Sequence, residues 1–463
     1  MYHTKDPFLI SDPDVWAKLQ WSSASLGDRR RQRRAVRLGA AIAARSGASL
    51  PKQAQTWGDL KAAYRLLNEE DVTHERLSAP HWQATRLEAS RTDGPVLFVQ
   101  DTSELDFTLH WALQGGGRLN DRGYGFLMHS CLTVLPDTAN PEIVGLAYQS
   151  VWAREVWRRQ TDTKVARQKR RNEADVWAET VEVIGPAPES ATWVSVGDRA
   201  SDVFSYVRRA RARGWHCLLR VNQNRRILTN EGVPGFLKPF VRALPPRTTK
   251  TTVLQSKGLP DREVVLQIAW TPLTLEPPAN RAEKYESPQS GWCIRVWNDE
   301  EPMEWILFST VPVASEAAAL EQVGWYEHRW LIEEYHKCLK TGCAIEKRQL
   351  TTADGLLALL GFLAITAVRL MQLRCLSRTN PEGRAGEAGI DPLFLKLVAA
   401  RLHQEPAALS VGQFWRGVAM LGGFIGRKSD GEPGWQTLWD GWLRLQDMCA
   451  GAVWMETELA RCG

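Results

Sequence analysis

The sequence predicts a mixed α/β layer protein with a basic helical segment at its start, a β-rich insertion and a helical segment at its end. Three observations carry this. Apolar runs ending in a carboxylate, PVLFVQD and TWVSVGD, alternate with helical patterns between residues 95 and 222. Residues from about 223 to 304 break that alternation with prolines and period-2 runs such as REVVLQIAW and GWCIRVW, without a convincing helix. Both ends of the chain carry helical periodicity instead.

Taken in order, SSASLGD with Asp28 precedes a helix rich in arginine: Arg29, Arg30, Arg31, Arg33, Arg34, Arg37 and Arg45, backed by Leu38, Ala41 and Ile42 at helical spacing. A second helix, DLKAAYRLLNEE, follows Trp57. PVLFVQ reads as a strand closed by Asp101, LMHSCLTVL and IVGLAYQSV as two more joined by a turn at Pro136–Pro141. A basic helix is expected over about 163–184, with Lys164–Arg171 as its charged run. The strand TWVSVG is closed by Asp198, and a helix and the strand HCLLRVN follow. After the insertion come the strand EWILFST and one long helix from about Ala317 to Thr341. The uncharged run Gly355–Val368 is too short to span a bilayer and suits a core helix. SRTNPEGRAGEAG reads as a linker into the last helical segment.

At 463 residues the chain suggests two to four domains. The hydrophobic share of 44% and charged share of 24% exclude disordered and fibrous classes. A net charge of only +5 means that any nucleic-acid surface must be local. No two of the eight cysteines show C-x-x-C spacing, and no secretory pattern opens the chain, which points to free thiols and a cytoplasmic location. The 21 tryptophans suit either a core or base stacking.

Candidate chemistry sits in WYEHRWLIEEYHKCLKTG. Tyr326, Arg329, Glu333, Lys337 and Lys340 are spaced 3, 4, 4 and 3, one stripe down a helix face. Alone, the stripe is a solvated salt-bridge ladder. With Asp101 and Asp198 at two strand ends it becomes a set of three carboxylates flanked by cations. Hard divalent cations prefer such oxygens, and two of them can clamp an in-line phosphoryl transfer. The arginine and lysines would then hold the non-reacting phosphate oxygens. His328 and His336 show no zinc spacing and read as structural.

The string YEHRWLIEEYHKCLKTG resembles the Y-x2-R-x3-E-x6-K signature of cut-and-paste DNA transposases of the insertion-sequence-four family, closest to the Tn-five-like group. QDTSELDF and VGDRASDVF are similar to the segments that carry the family's two catalytic aspartates, here Asp101 and Asp198. The second departs from the common D-R-E-A-D, reading Asp198-Arg199-Ala200-Ser201-Asp202. The resemblance implies an RNase H-like catalytic domain at 74–376, interrupted by the β-rich insertion. It also implies a helical DNA-binding domain at 1–73 and a helical dimerisation region at 377–463. It makes Asp101, Asp198 and Glu333 the catalytic and metal-binding residues, with Mg2+ as cofactor and Mn2+ as substitute. Tyr326, Arg329, Lys337, Lys340, Arg30, Arg31, Arg34, Arg65 and Arg220 become DNA contacts, and Trp305 a platform for a base flipped during hairpin formation. Partners are transposon-end and target DNA and a second copy of the chain, in a bacterial, nucleoid-associated setting. The open alternatives are an RNase H-like nuclease without strand transfer and a catalytically inactive DNA-binding relative.

Overall fold

The computed structural model describes residues 12–462 except 121, 137–140, 155–171, 255–261, 280–281, 301–302, 379–380, 389 and 428–429. The basic run 164–171 and most of the turn at 136–141 therefore lie outside the described residues.

Helices α1 (Pro13–Trp21), α2 (Arg29–Ala44) and α3 (Trp57–Leu67) make up the basic layer at the start of the chain. Each begins where a side-chain oxygen accepts free backbone amides: Asp12 from Asp14 and Val15, Asp28 from Arg30, Thr56 from Asp59. α2 buries Ala35, Leu38 and Ile42 and turns Arg29, Arg30, Arg33, Arg34 and Arg37 outward. Where it meets Trp21, a Cβ on Gly39 would lie 2.1 Å from the indole, so only glycine allows the approach. α4 (His74–Arg91) was not legible in the sequence. It holds Pro80, and its buried face mixes Leu77 and Trp82 with His74, Ser78, His81 and Thr85, so no apolar stripe announces it.

The strands are β1 (Pro95–Asp106), β2 (Gly117–Arg118), β3 (Tyr124–Leu135), β4 (Glu142–Trp152), β5 (Thr192–Gly197) and β6 (His216–Arg220). They are followed by β7 (Arg226–Thr229), β8 (Pro234–Phe236), β9 (Thr248–Leu254), β10 (Arg262–Leu275), β11 (Gln289–Trp297) and β12 (Glu304–Ser309). β1 pairs antiparallel with β3 and parallel with β5, which pairs parallel with β6. β12 joins β6 antiparallel and continues the same sheet through β11 and β10, so the insertion extends the central sheet. It also contains a helix that the sequence did not suggest, α7 (Leu237–Arg242), six residues entered from β8 and seated by Leu237 and Val241.

Alternation along the strands splits the core in two. Leu97, Val99, Val194, Val196, Leu218 and Leu307 face one layer of helices, and Phe98, Trp193, Cys217 and Phe308 face the other. The second layer consists of α5 (Val176–Ile184) and α6 (Phe204–Arg211), joined by Trp177, Val181, Tyr206 and Val207. The first consists of α8 (Glu316–Glu327), α9 (Trp330–Lys337) and α10 (Ala353–Arg378), with α2 and α3 beyond.

The single long helix expected over 317–341 is in fact two. Between α8 and α9 the bonds tighten to three residues, Arg329 to Tyr326 and Leu331 to His328, and after Lys337 a π turn closes with Cys343 bonding Cys338. The uncharged run at 355–368 extends into a 26-residue helix. Its stretch Ala353–Cys375 is long and apolar enough to cross a membrane, but 89% of that window is buried, as a core helix requires. Its Arg369 is fully buried, donates to Ala43 O at 2.8 Å and lies over the Trp16 ring.

α11 (Pro392–Leu402), α12 (Val411–Leu421) and α13 (Trp435–Cys462) close the chain. Trp415 and Trp442 stack at 5.3 Å, and both are buried with Trp439 inside the chain, while Trp454 is exposed.

Candidate active site

Asp101 does not close its strand. β1 runs five residues further, because SELD pairs with Gly125–Met128 of β3 in a continuous ladder. Asp198 does follow the end of β5. Val99 pairs with Val196 at the end of the parallel ladder, and Asp101 within β1 and Asp198 just past β5 each lie two residues beyond that pair, close enough for the charge of Asp198 to act on Asp101. Both positions share parity with Val99 and Val196, and hence the face covered by α8 to α10. Asp198 also caps a short turn by accepting from Ala200 N at 2.8 Å. Gly197 permits that turn: a Cβ there would meet Ser201 Oγ at 2.4 Å.

Burial pushes the Asp101 carboxyl up to about 6, and the charge of Asp198 adds to the shift. Arg329 opposes it, and Glu333 contributes on the same side as Asp198. Glu333 projects from α9 over β1 and is ion-paired with Arg329 one turn earlier. Among the described residues no three metal-ligating side chains form a preformed set. The donor chemistry still fits a divalent cation: two neighbouring carboxylates repel, burial disfavours the charge of one of them, and a cation would relieve both. Glu333 is the third candidate, engaged by Arg329 in this arrangement.

The same sheet face continues with Arg220 on β6 and Trp305 on β12, since Leu307 pairs with Arg220. Arg220 donates to Glu304 O at 3.2 Å, and its charge acts on the Tyr326 hydroxyl. Trp305 is half-buried and meets Tyr326 edge to face at 5.4 Å. The five-residue stripe is not one exposed face. The break before α9 turns Tyr326 inward to 4% exposure; Arg329, Glu333 and Lys340 are half-buried and Lys337 is exposed. Lys340 lies 3.6 Å from Glu346, whose Oε1 accepts from Asp106 N.

The arginine cluster divides. Arg30 and Arg34 are exposed on α2 and Arg65 on α3, but Arg31 bonds Asp71 at 2.8 Å and is also paired with Glu69. Arg31 is thus engaged within the chain, and a DNA phosphate would compete with two carboxylates for it.

Sequence reasoning passed over two polar groups that build this site. Asp202 accepts from Asn222 N, Gln223 N and Arg225 Nε, locking the turn after Asp198 to the start of the insertion. Beneath Asp101, on the opposite sheet face, a buried chain runs from Thr102 Oγ1 through His129 and Gln100 to Ser195 and Tyr206. The alternation of the strands puts these polar residues on the inner face, which was the available signal. Cys131, Cys217, Cys293, Cys338, Cys343, Cys375 and Cys449 form no disulfide, and burial pushes the Cys217 thiol up to about 12.

Residues 13–72 match the family described as transposase DNA-binding, and residues 161–369 match the transposase DDE domain. The second match includes Asp198 and Glu333 and begins after Asp101. Among solved structures, the cryo-EM structure of a piggyBac transposase synaptic complex with hairpin DNA is similar at a TM-score of 0.37 and 10% identity. It covers 95% of this chain and 85% of that one.

Proposed function

The chain carries a transposase DNA-binding region and a transposase DDE domain and is a metal-dependent DNA transposase; from that premise we propose how it works. Asp101, Asp198 and Glu333 are its catalytic carboxylates, in an RNase H-like domain at 74–376 of the insertion-sequence-four, Tn-five-like type. The observation that carries this is the register of β1 and β5, which sets Asp101 beside Asp198 under the helix of Glu333. The strand order β4-β3-β1-β5-β6, with the last three parallel, supports the fold assignment.

Mg2+, with Mn2+ as substitute, would be held by these carboxylates and would activate the attacking oxygen and stabilise the leaving one. The chain's own part is positional. Arg329, Lys337 and Lys340 face the non-bridging phosphate oxygens, and Arg220 and Tyr326 border the scissile strand. Trp305, half-buried against Tyr326, offers a stacking face for a base extruded during hairpin formation. Arg30, Arg34 and Arg65 of the 1–73 domain hold transposon ends; Arg31 does so only by leaving Glu69 and Asp71. Excision and strand transfer proceed in a dimer that pairs two ends through region 377–463, where Val453, Trp454 and Met455 are exposed. The setting is the bacterial cytoplasm, on nucleoid DNA.

The test is single replacement of Asp101, Asp198 and Glu333 by Ala, assayed for end binding and Mg2+-dependent nicking. Loss of nicking by at least a hundredfold with retained binding is expected of all three. A variant that keeps near-normal nicking removes its residue from the site.

A further inference from the structure

The three residues that follow Glu333 are anchored, and the anchors of two of them, Tyr335 and His336, converge on the cross-strand partner of Asp101. In the β1–β3 ladder Asp101 lies directly opposite Ser130, so their side chains share the face beneath α9. Ser130 Oγ is 3.1 Å from His336 Nε2, three residues along α9 from Glu333. Gln149, which faces Ser130 from β4, donates to Ser130 Oγ at 2.9 Å and to Tyr335 OH at 3.0 Å. Its own carbonyl oxygen is 2.9 Å from His74 Nε2 on α4. Glu334, the remaining neighbour, is ion-paired with Arg374 of α10. Ser130, Gln149, Tyr335 and His336 are all buried, with Ser130 at 0% and His336 at 6% exposure. In such surroundings an unmade hydrogen bond costs more than a made one contributes, so the bonded arrangement is strongly preferred.

We propose that Ser130 and His336 are a positioning pair: their hydrogen bond sets the height and rotation of α9 above β1, and so the placement of Glu333 relative to Asp101. The pair touches no substrate; it acts through Glu333. Outer partners that orient ligating side chains commonly change metal affinity 10–100-fold when removed. The proposal rests on the reading of Asp101, Asp198 and Glu333 as metal ligands.

The experiment uses the full-length chain with a bound end duplex and measures Mn2+ affinity by electron paramagnetic resonance, with nicking against Mn2+ concentration in parallel. Ser130→Ala and His336→Leu should each weaken Mn2+ binding about tenfold or more. They should shift the Mn2+ requirement of nicking by the same factor and leave duplex affinity nearly unchanged, while Ser130→Ala also lowers the thermal midpoint because Gln149 and His336 lose a buried partner. Ser130→Thr and His336→Gln keep a hydrogen-bonding group and should recover Mn2+ affinity to within about threefold. Should Ser130→Ala fail to fold, the comparison of His336→Leu with His336→Gln decides alone. Mn2+ affinity within twofold of the parent in His336→Leu, or equal loss in the Leu and Gln variants, overturns the positioning role. Asp101→Ala separates the two levels. If it too keeps full Mn2+ affinity, the ligand reading fails; if it loses affinity while the pair's variants keep it, only the positioning role fails.

Discussion

Asp202 and Arg225 form an ion pair at 2.8 Å in which both side chains are less than a tenth exposed. Asp202 also accepts two backbone amides from 222 and 223, so its charge is matched inside the protein. Four residues before it stands Asp198, on the turn this pair holds against the insertion.

Removing the cation should therefore cost more than an exposed pair would. Arg225→Ala leaves a buried carboxylate without its main partner, a loss of about 3–5 kcal/mol. Arg225→Met, which keeps the volume, does not remove that penalty. Asp202→Asn with Arg225→Met should recover much of it. Chemical denaturation of the four proteins measures this, and equal stability of Arg225→Ala and the parent would show that the pair is not structural.

Asp101 gives a pH signature. Its carboxyl stands at about 6 in the folded chain against an ordinary value of 3.8, so folding favours its protonated form. A raised acid contributes stability below the unfolded value and loses it as pH rises through 6. Metal-free Asp101→Asn should therefore be more stable than the parent at pH 8, by at most about 3 kcal/mol, and no more stable near pH 4. Thermal midpoints in EDTA across pH 4–8 check this; a gap that does not grow between 4 and 6 would contradict the buried, Asp198-facing placement.

The arginines of α2 should separate by assay. Arg30→Ala with Arg34→Ala removes exposed charge, so end binding should weaken and the slope of log K against log salt flatten by up to about two. Arg31→Ala should instead lower the thermal midpoint, since Glu69 and Asp71 lose their shared partner. If Arg31→Ala flattens the slope as much as the double variant without loss of stability, Arg31 faces DNA.

Trp305→Ala should leave end binding and the first nick nearly intact and slow hairpin closure by about tenfold or more, from lost stacking of about 1–3 kcal/mol. Trp305→Phe should retain most of the rate. Slowing of the first nick by the same factor would instead mean that Trp305 supports Tyr326 and the core.

What local chemistry determines was legible without the structure. Asp28 begins α2 and its arginines face out because a capped, one-sided apolar stripe has no other helical solution. β5, β10 and β11 follow from their apolar runs and period-2 patterns, and Asp198 ends its strand because the next residues make a capped turn. Tertiary pairing decided the rest. SELD continues β1 past Asp101 only because β3 supplies the ladder, a partner that no local pattern reveals. The helix over 317–341 breaks because Tyr326 packs inward on Trp305 while Ile332 and Tyr335 are buried in the core below α9. Arg31 differs from Arg30 because Glu69 and Asp71 return to it from beyond α3. His336, a helix residue without zinc spacing in the sequence, acquires its place from Ser130, 206 positions away. Hydrogen bonds between residues so far apart are chosen by the packing of whole elements, which periodicity along the chain does not encode.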